Sequence, residues 1–269
     1  MKKCPIATGK SLWYDDAKGG STMKRSGLSQ EKLKMIACAT MLIDHFAVVL
    51  LGKVFYGAAF TADLYRICRI VGRLAFPIFC FLLAEGACYT HNPKKYALRL
   101  AIGAVLSELP YDLAVYGGWT LAHQNVMLTL LLGFGALEAM KRCPELWKKA
   151  LICLPFAFAA KYLHTDYGTK GVVLIAIFAV TRDMPRKHLW QTLGLWFVFS
   201  PGHAMALNWI QSVIQTGSIY LTTQEWAVLA VIPIALYSGE KHSKNKVLQW
   251  AFYMFYPVHL MILFIIGRF

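Results

Sequence analysis

Residues 35–52, MIACATMLIDHFAVVLLG, form an apolar run long enough to cross a bilayer, and two ionisable residues, Asp44 and His45, lie deep inside it. A charged carboxylate at the centre of a membrane helix costs about 2.5 to 3.5 kcal/mol on insertion scales. An Asp beside a titratable imidazole within a span is therefore the first candidate for a functional site.

The composition of the whole chain indicates a polytopic membrane protein. Of the 269 residues, 57% are hydrophobic and only 16% are charged, whereas soluble domains are less apolar and more charged. A hydropathy scan with a window of about 19 residues predicts about nine transmembrane helices (8 to 10). They lie near 31–52, 73–91, 95–116, 124–141, 147–161, 170–181, 187–201, 224–239 and 246–267. The predicted fold is an all-α integral membrane helical bundle.

The basic residues orient this bundle with its amino terminus in the cytoplasm. In that orientation twenty Lys and Arg residues fall on the cytoplasmic side and four in the opposite loops, namely Lys53, Lys161, Lys170 and Arg268. The remaining four lie in or beside predicted spans and are treated separately: Arg66, Arg69, Arg73 and Arg99. Cytoplasmic loops are enriched in Lys and Arg, so the distribution predicts a multi-pass protein of the cytoplasmic membrane. Residues 1–28 are polar and rich in Gly, Ser and Lys. We predict a disordered cytoplasmic tail over 1–28 and a transmembrane domain over 29–269.

Neither the charge nor the cysteines of the chain indicate a soluble binding function. The formal net charge is +14, but the Lys and Arg residues lie in short loops between apolar segments, so we predict no nucleic-acid binding. The seven cysteines include no C-x-x-C pair, so no metal site is predicted.

Two carboxylates are predicted at the height of Asp44 and His45. At a rise of about 1.5 Å per residue, Asp44 and His45 lie about 20 Å above the cytoplasmic end of their helix, in the outer half of the membrane. Glu108 and Asp112 lie in SELPYD of the third span, with Tyr111 between them, at a similar height. Because they are spaced i and i+4, both acids share one face of that helix. This pattern predicts a polar site near the outer membrane face.

Further polar residues belong to the same predicted site. Gln124 and Asn125 open the fourth span from the outer side, and His259 lies in FYPVHL of the last span. A purely structural interpretation remains open for the two acids, which could form ion pairs with Arg73 or Arg99.

Three arginines precede the second predicted span. Arg66, Arg69 and Arg73 lie in LYRICRIVGR at positions i, i+3 and i+7, so they share one face of a helix. One interpretation is an interfacial helix whose arginines meet lipid phosphates. Another is an anion clamp, because the guanidinium fork binds phosphate and carboxylate bidentately.

Several stretches together resemble the TraX family, whose founding member N-acetylates F-pilin. They are LKMIACATMLIDHFAVVL, YRICRIVGRLAFPIFCFLLAEGACYT, KKYALRLAIGAVLSELPYDLA, QNVMLTLLLG and FYMFYPVHLMILFII. The resemblance covers most of residues 28–145 and the last span, whereas 146–245 matches in hydropathy alone. The family is in turn similar to the transmembrane acyltransferase superfamily, in which a multi-span bundle passes acetyl from cytosolic acetyl-CoA to an acceptor, with an intramembrane His central.

The resemblance implies a bacterial inner-membrane acetyltransferase that uses acetyl-CoA and no metal. His45 is the predicted base, or itself the acetyl carrier, and Asp44 or Glu108 is its orienting group. Adjacent residues on a helix point about 100° apart, so Glu108 from another helix is favoured over Asp44 as the group that orients His45. The predicted substrate-binding residues are Asp112, Gln124, Asn125, His259 and Tyr111.

Acetyl-CoA and an acceptor are the predicted partners, together with the lipid bilayer. The acceptor is a peptide or pilin amine, a small-molecule amine, or a hydroxyl of an envelope glycan. Arg66, Arg69 and Arg73 are predicted to bind the phosphates of coenzyme A. The predicted topology places them on the outer side, so either their segment re-enters the membrane, or they bind acidic groups of an acceptor, or the number of spans differs by one.

Two other function classes remain open from the residues alone. A proton-coupled transporter also uses buried Asp, Glu and His, although no internal repeat is visible between the halves of the chain. A non-catalytic scaffold for pilus or envelope assembly would tolerate neutralisation of the buried acids.

Overall fold

The computed structural model describes residues 27–52, 61–200, 224–239 and 246–268, and these residues are almost entirely helical. The α-helices are α1 (Gln30–Phe46), α2 (Thr61–Gly72), α3 (Ala75–Tyr89), α4 (Pro93–Tyr116), α5 (Val126–Met140), α6 (Leu146–Tyr162), α7 (Gly168–Thr181), α8 (Lys187–Phe199), α9 (Val231–Ala235) and α10 (Lys246–Ile266). A π-helical segment, Ala47–Leu51, extends α1, and a 3-10 helix, Glu225–Ala230, leads into α9.

The predicted all-α membrane bundle is confirmed. Three helical stretches are long and apolar enough to span a bilayer by themselves: Gln30–Leu51, Asp63–Tyr89 and Val247–Ile266. Shorter apolar helices cover Val126–Met140, Gly168–Thr181 and Glu225–Ala235. Helices dominate because lipid offers the backbone no hydrogen-bond partner, so each span must satisfy its own N–H and C=O groups.

Local sequence signals set where several of these helices begin and end. Ser29 caps α1 by accepting from the backbone N–H of Lys32, and Asn92 caps α4 directly before Pro93. Asn125 caps α5 by accepting from the N–H of Met127 at 2.9 Å. The last turn of α4 ends at Gly117, whose φ of 80° requires the left-handed conformation that glycine adopts without strain.

The helices pack against their chain neighbours and also against helices distant in the chain, such as α3 against α7 and α10 against α4. α1 contacts α2 and α3, α5 contacts α4, α6 and α7, and the last helix, α10, packs along α4 and also reaches α1. Large apolar side chains such as Val105, Phe158 and Phe197 point outwards and are about 70% exposed or more. Outward apolar faces of this kind fit a lipid surrounding.

The end of the bundle at which α1 begins is the predicted cytoplasmic end. There the backbone of Leu28 pairs with the residues that follow α9, with Leu28 N–H donating to Leu236 at 2.8 Å and Ser238 N–H donating to Leu28 at 3.0 Å. The pairing ties the start of α1 to the end of α9. The predicted disordered tail falls largely on residues 1–26, which lie outside the described residues.

A buried ion pair links α3 to α7 at the same end. Nε of Arg182 donates to Glu85 at 2.6 Å, and both side chains are less than a tenth exposed. The Arg182 guanidinium also donates to the Tyr89 hydroxyl at 2.6 Å. The ion pair therefore holds α3 and the end of α7 together, and both of its charged groups have little access to solvent.

We expect Glu85→Gln to destabilise the protein by about 3 kcal/mol, because the buried Arg182 guanidinium loses its closest counter-charge and keeps, among the described residues, only Asp183, at 3.2 Å and more exposed. Unfolding in detergent, followed by circular dichroism, measures the loss. Glu145→Gln is the matched control, since Glu145 pairs with Lys148 on the exposed surface and its removal should leave the unfolding midpoint unchanged. Equal midpoints for Glu85→Gln and Glu145→Gln would contradict a stabilising role of the buried pair.

Candidate functional site

A cavity of about 200 Å³ lies beside Asp44 and His45, at the end of α1 away from the predicted cytoplasmic end. We call it the polar cavity. Its polar lining residues are Asp44, His45, Arg69, Arg73, Tyr111, Asp166, Tyr167 and Tyr256. They come from α1, from α2 and the turn after it, from α4, from the loop between α6 and α7, and from α10. Groups far apart in the sequence therefore meet around one space inside the bundle.

A pair of histidines forms one wall of the site. Nδ1 of His45 lies 2.6 Å from Nε2 of His259, and Nδ1 of His259 lies 2.6 Å from the backbone carbonyl oxygen of Phe255. Because a carbonyl oxygen can only accept, Nδ1 of His259 must donate, and Nε2 of the neutral His259 is then an acceptor. Nδ1 of His45 consequently carries the proton that joins the rings, and the lone pair of His45 lies on Nε2. His259 thus fixes the tautomer of His45 that leaves Nε2 basic.

Asp44 pairs with two arginines and not with His45. Nη1 of Arg69 and Nη2 of Arg73 each approach a different oxygen of Asp44 at 2.7 Å. The 100° rotation between adjacent helix residues turns Asp44 towards α2 while His45 faces α10. Gly72 permits this close packing, since a Cβ atom there would lie 2.2 Å from Oδ1 of Asp44.

Arg73 connects the charged cluster to two other parts of the chain. Its guanidinium also donates to Gln224 at 2.9 Å, to the Tyr167 hydroxyl at 3.5 Å and to the backbone carbonyl of Arg69 at 3.3 Å. Two guanidiniums against the single carboxylate of Asp44 leave one positive charge in excess. This local excess can stabilise developing negative charge in the polar cavity, and it also acts on the second lining carboxylate, that of Asp166.

Asp166 supplies a second carboxylate at the rim of the cavity, in the loop between α6 and α7. The loop is held in place by backbone pairing with Gln124, whose carbonyl accepts from Asp166 N–H at 2.8 Å, and by the Thr129 hydroxyl, which donates to the Asp166 carbonyl. Burial raises the pKa of Asp166 from 3.8 to about 6, against the opposing effect of the nearby Arg73 guanidinium.

This pKa predicts how stability depends on pH. Because the folded protein binds the Asp166 proton more tightly than the unfolded chain does, the stabilisation is present below about pH 4 and is lost as the pH rises through about 6. We expect the melting temperature of the wild type, measured relative to Asp166→Asn, to fall between pH 4 and pH 6.5. Parallel melting curves for the two proteins across this range would show that Asp166 keeps an ordinary pKa.

Glu108 contacts Asn125. The sequence had instead led us to predict a contact between Glu108 and His45. Both the backbone N–H and the side-chain amide of Asn125 donate to Oε2 of Glu108, and the amide also donates to the Ala104 carbonyl at 2.8 Å. The face of α4 that carries Glu108 is turned towards the start of α5, where the exposed N–H groups of a helix terminus attract a carboxylate. The group that contacts His45 is His259, so the predicted pairing with Glu108 is corrected.

Asp112 lies on the same face of α4 and closes the loop that follows the helix. Its Oδ2 accepts from the backbone N–H of Thr120 at 2.9 Å. Oδ1 of Asp112 and Oε1 of Glu108 are buried without a hydrogen-bond partner among the described residues. Neither acid lines the polar cavity or pairs with Arg73 or Arg99; Tyr111, on the adjacent face of α4, does line it.

The predicted site residues therefore fall into three groups. Asp44, His45, Arg69, Arg73 and Tyr111 line the polar cavity, with His259 behind His45. Glu108, Asp112 and Asn125 form a neighbouring cluster at the junction of α4 and α5. Arg66 is exposed, and the side chain of Gln124 turns back to donate to the Leu121 carbonyl at 3.0 Å.

Sequence reasoning left three lining residues unassigned: Asp166, Tyr167 and Tyr256. Tyr256 precedes His259 by one helical turn in the last span, so its spacing could have placed it on the same face. Asp166 and Tyr167 lie in a loop, where no helical spacing indicates a direction. No cluster of three or more His, Cys, Asp and Glu side chains suited to a metal ion occurs in the described parts of the chain.

The sequence of this chain is similar to those of a protein family and of a named relative. The sequence profile of a family described as TraX protein matches residues 29–267. The chain is also similar to a protein of Dichelobacter nodosus named "Probable fimbrial assembly protein FimC, serogroup H1". The two are 27% identical over 250 residues, covering 86% of this chain and 93% of the relative. No solved structure matches the chain significantly.

Proposed function

The chain belongs to the TraX family, and from that membership and its polar cavity we propose that it is a membrane-bound acetyltransferase of the bacterial cytoplasmic membrane. It transfers acetyl from cytosolic acetyl-CoA to an amine of a peptide, a pilin or a small molecule, or to a hydroxyl of an envelope glycan. The observation that carries the proposal is the contact between His45 and His259, which makes Nε2 of His45 a base beside an arginine-rich cavity.

The chemistry assigns a role to each side of the cavity. Nε2 of His45 accepts the proton of the acceptor as its nitrogen or oxygen attacks the thioester carbonyl. The new bond to the acetyl carbon forms, the carbon–sulfur bond breaks, and the proton on His45 passes to the departing thiolate. Arg69, which lines the cavity and is the more exposed of the two arginines, supplies positive charge for the oxyanion. Asp44 holds Arg69 and Arg73 in place.

The acceptor proposal draws on the relative. That protein is named for fimbrial assembly, which supports a pilin-type peptide amine as the first acceptor to test. The same name is compatible with a scaffold that assists pilus or envelope assembly without catalysis. A proton-coupled transporter is the other alternative, because a histidine pair beside buried carboxylates also serves a proton relay.

Transfer of radiolabel from acetyl-CoA by the purified protein in liposomes tests the proposal. We expect label to appear in a peptide or small-molecule amine, or in a glycan hydroxyl, and we expect coenzyme A to raise the melting temperature. Absence of transfer to all three acceptor classes, with normal pilus or envelope assembly by the His45→Gln variant in cells, would support the scaffold. Proton-linked solute flux in the absence of acetyl-CoA would support the transporter.

A further inference from the structure

A second and larger cavity, of about 510 Å³, opens at the other end of the bundle. We call it the basal cavity. It lies between α1, α3, α4, α5 and α10, and it includes residues of the first turns of α1, α4 and α10. These turns lie at the predicted cytoplasmic end, so a cytosolic molecule could enter the basal cavity without crossing the membrane.

Two cations line the basal cavity, Lys34 from α1 and Arg99 from α4. Neither forms an ion pair with a carboxylate of the described residues. Nε of Arg99 is buried without a hydrogen-bond partner in that part of the chain. Glu31, one turn before Lys34, is a carboxylate that acts on Lys34 electrostatically, whereas Arg99 repels it. Two cations with one unsatisfied donor at a common cavity favour an anion between them.

Aromatic rings surround the two cations. Nζ of Lys34 lies 5.3 Å from the centre of the Phe252 ring, and the Arg99 guanidinium lies 5.7 Å from that of Tyr96. Tyr253 also lines the space. Cations held over aromatic rings suit a ligand that carries phosphates next to a planar or apolar portion.

Phe79 of α3 lines both the basal cavity and the polar cavity. Its side chain is therefore part of a wall that the two cavities share. His45 follows Lys34 by eleven positions on α1, which corresponds to a rise of about 16 Å. The extended pantetheine arm of coenzyme A covers a distance of this order.

We propose that Lys34 and Arg99 bind the phosphates of the acyl donor in the basal cavity, and that the thioester arm passes Phe79 to reach His45. The proposal rests on the acetyl-CoA-dependent function given above. It assigns the phosphate contacts to these two residues in place of Arg66, Arg69 and Arg73, since Arg69 and Arg73 neutralise Asp44 at the opposite end of α1. The acetyl donor then approaches from the cytosol while the acceptor meets His45 near the outer face.

Coenzyme A binding to the purified full-length protein tests this site. We expect Lys34→Gln and Arg99→Gln each to weaken binding about tenfold or more, because each loses a charge-assisted contact to phosphate. Lys34→Arg keeps the charge and should retain most of the affinity. Lys95→Gln and Arg142→Gln are the matched controls, since both side chains are exposed at the same end of the bundle and line neither cavity. Circular dichroism and gel filtration verify that each variant is folded.

The outcomes separate this proposal from the function on which it rests. If wild-type protein transfers acetyl and the KM for acetyl-CoA is unchanged in Lys34→Gln and Arg99→Gln, the proposed site is wrong and the function stands. If coenzyme A binds and only these variants weaken it, while no acceptor is acetylated, the site stands and the function is wrong. The proposal would be overturned if phosphatidylglycerol nanodiscs, and not coenzyme A, stabilised the wild type and if both variants lost this stabilisation. That result would assign the cavity to a lipid headgroup.

A change at Phe79 tests the connection between the two cavities. Phe79→Trp places a larger side chain in the wall shared by the two cavities and narrows the passage for the thioester arm. We therefore expect kcat for transfer to fall at least tenfold while coenzyme A binds with unchanged affinity. Phe79→Leu, which is smaller, should keep kcat near that of the wild type. Unchanged kcat in the Trp variant, or a parallel loss of affinity, would contradict passage of the arm at this position.

Discussion

His45→Gln is expected to lower kcat for acetyl transfer by about 10²- to 10⁴-fold, which is the usual contribution of a positioned general base. Glutamine has a similar size and keeps a polar group near His259, but it has no basic nitrogen. The KM for acetyl-CoA should change little, because the proposed donor contacts lie at Lys34 and Arg99. His123→Gln is the control, since His123 is exposed near the same end of the bundle and lies outside the polar cavity. Wild-type kcat in His45→Gln would end the assignment of His45 as the base.

The role of His259 can be separated from a purely structural one by two substitutions at that position. His259→Gln retains an oxygen that can accept from Nδ1 of His45, whereas His259→Ala removes the acceptor. If His259 fixes the tautomer of His45, kcat should decrease in the order wild type, Gln, Ala, with KM unchanged. Equal losses in kcat and stability for both variants would indicate that His259 is needed only for packing.

The helical fold could be predicted from the sequence because lipid leaves the backbone few choices. Continuous apolar runs such as 35–52 must be helical inside a membrane, and the predicted second and third spans at 73–91 and 95–116 correspond closely to α3 and α4. The sequence placed the arginines of LYRICRIVGR on one face of a helix, and α2 is that helix, but it did not show what this face contacts. Arg69 and Arg73 pair with Asp44 of α1, a contact that hydropathy does not register.

The sequence could predict the height of the candidate site within the membrane, but not which of its side chains contact each other. A fixed rise per residue places His45, Asp44 and Glu108 at one level, whatever the neighbours of each helix are. Which side chains meet depends on how helices rotate and pack, and His45 meets a residue 214 positions away in the chain. Glu108 was the plausible partner by height alone. The start of α5 competes for its carboxylate, and that competition is visible only once α4 and α5 are seen together.

The charged residues that line the two cavities differ, and this difference suits the proposed transfer of acetyl from the cytoplasmic side towards the outer side. In the polar cavity Asp44 neutralises one of the two positive charges of Arg69 and Arg73, and a second carboxylate, that of Asp166, lines the same space. In the basal cavity neither Lys34 nor Arg99 forms an ion pair with a carboxylate among the described residues, although Glu31 attracts Lys34. If the proposed mechanism holds, the basal cavity attracts the polyanionic part of the donor to the cytoplasmic end, and the uncharged acetyl thioester is the part that reaches His45.

The cluster around Asp44 should be the most sensitive point for stability and activity together. Its carboxylate is 13% exposed and faces two guanidiniums, so Asp44→Asn raises the net charge of the three groups from +1 to +2 in a mostly buried position. We expect a loss of about 3 to 5 kcal/mol in unfolding free energy, because the arginines lose their counter-charge. Acetyl transfer should fall as well, since Arg69 and Arg73 would no longer be held beside His45.

A double substitution distinguishes charge balance from the loss of a particular contact. Asp44→Asn combined with Arg69→Gln returns the net charge to +1, so it should recover part of the stability that Asp44→Asn loses, but not the transfer activity assigned to Arg69. Glu138→Gln serves as the control, because Glu138 pairs with Lys141 in a more exposed position and its loss should cost less than about 1 kcal/mol. Additive losses in the double variant would show that the two residues act independently. A partial recovery would show that Asp44 is retained in the membrane chiefly because the arginines beside the cavity require it.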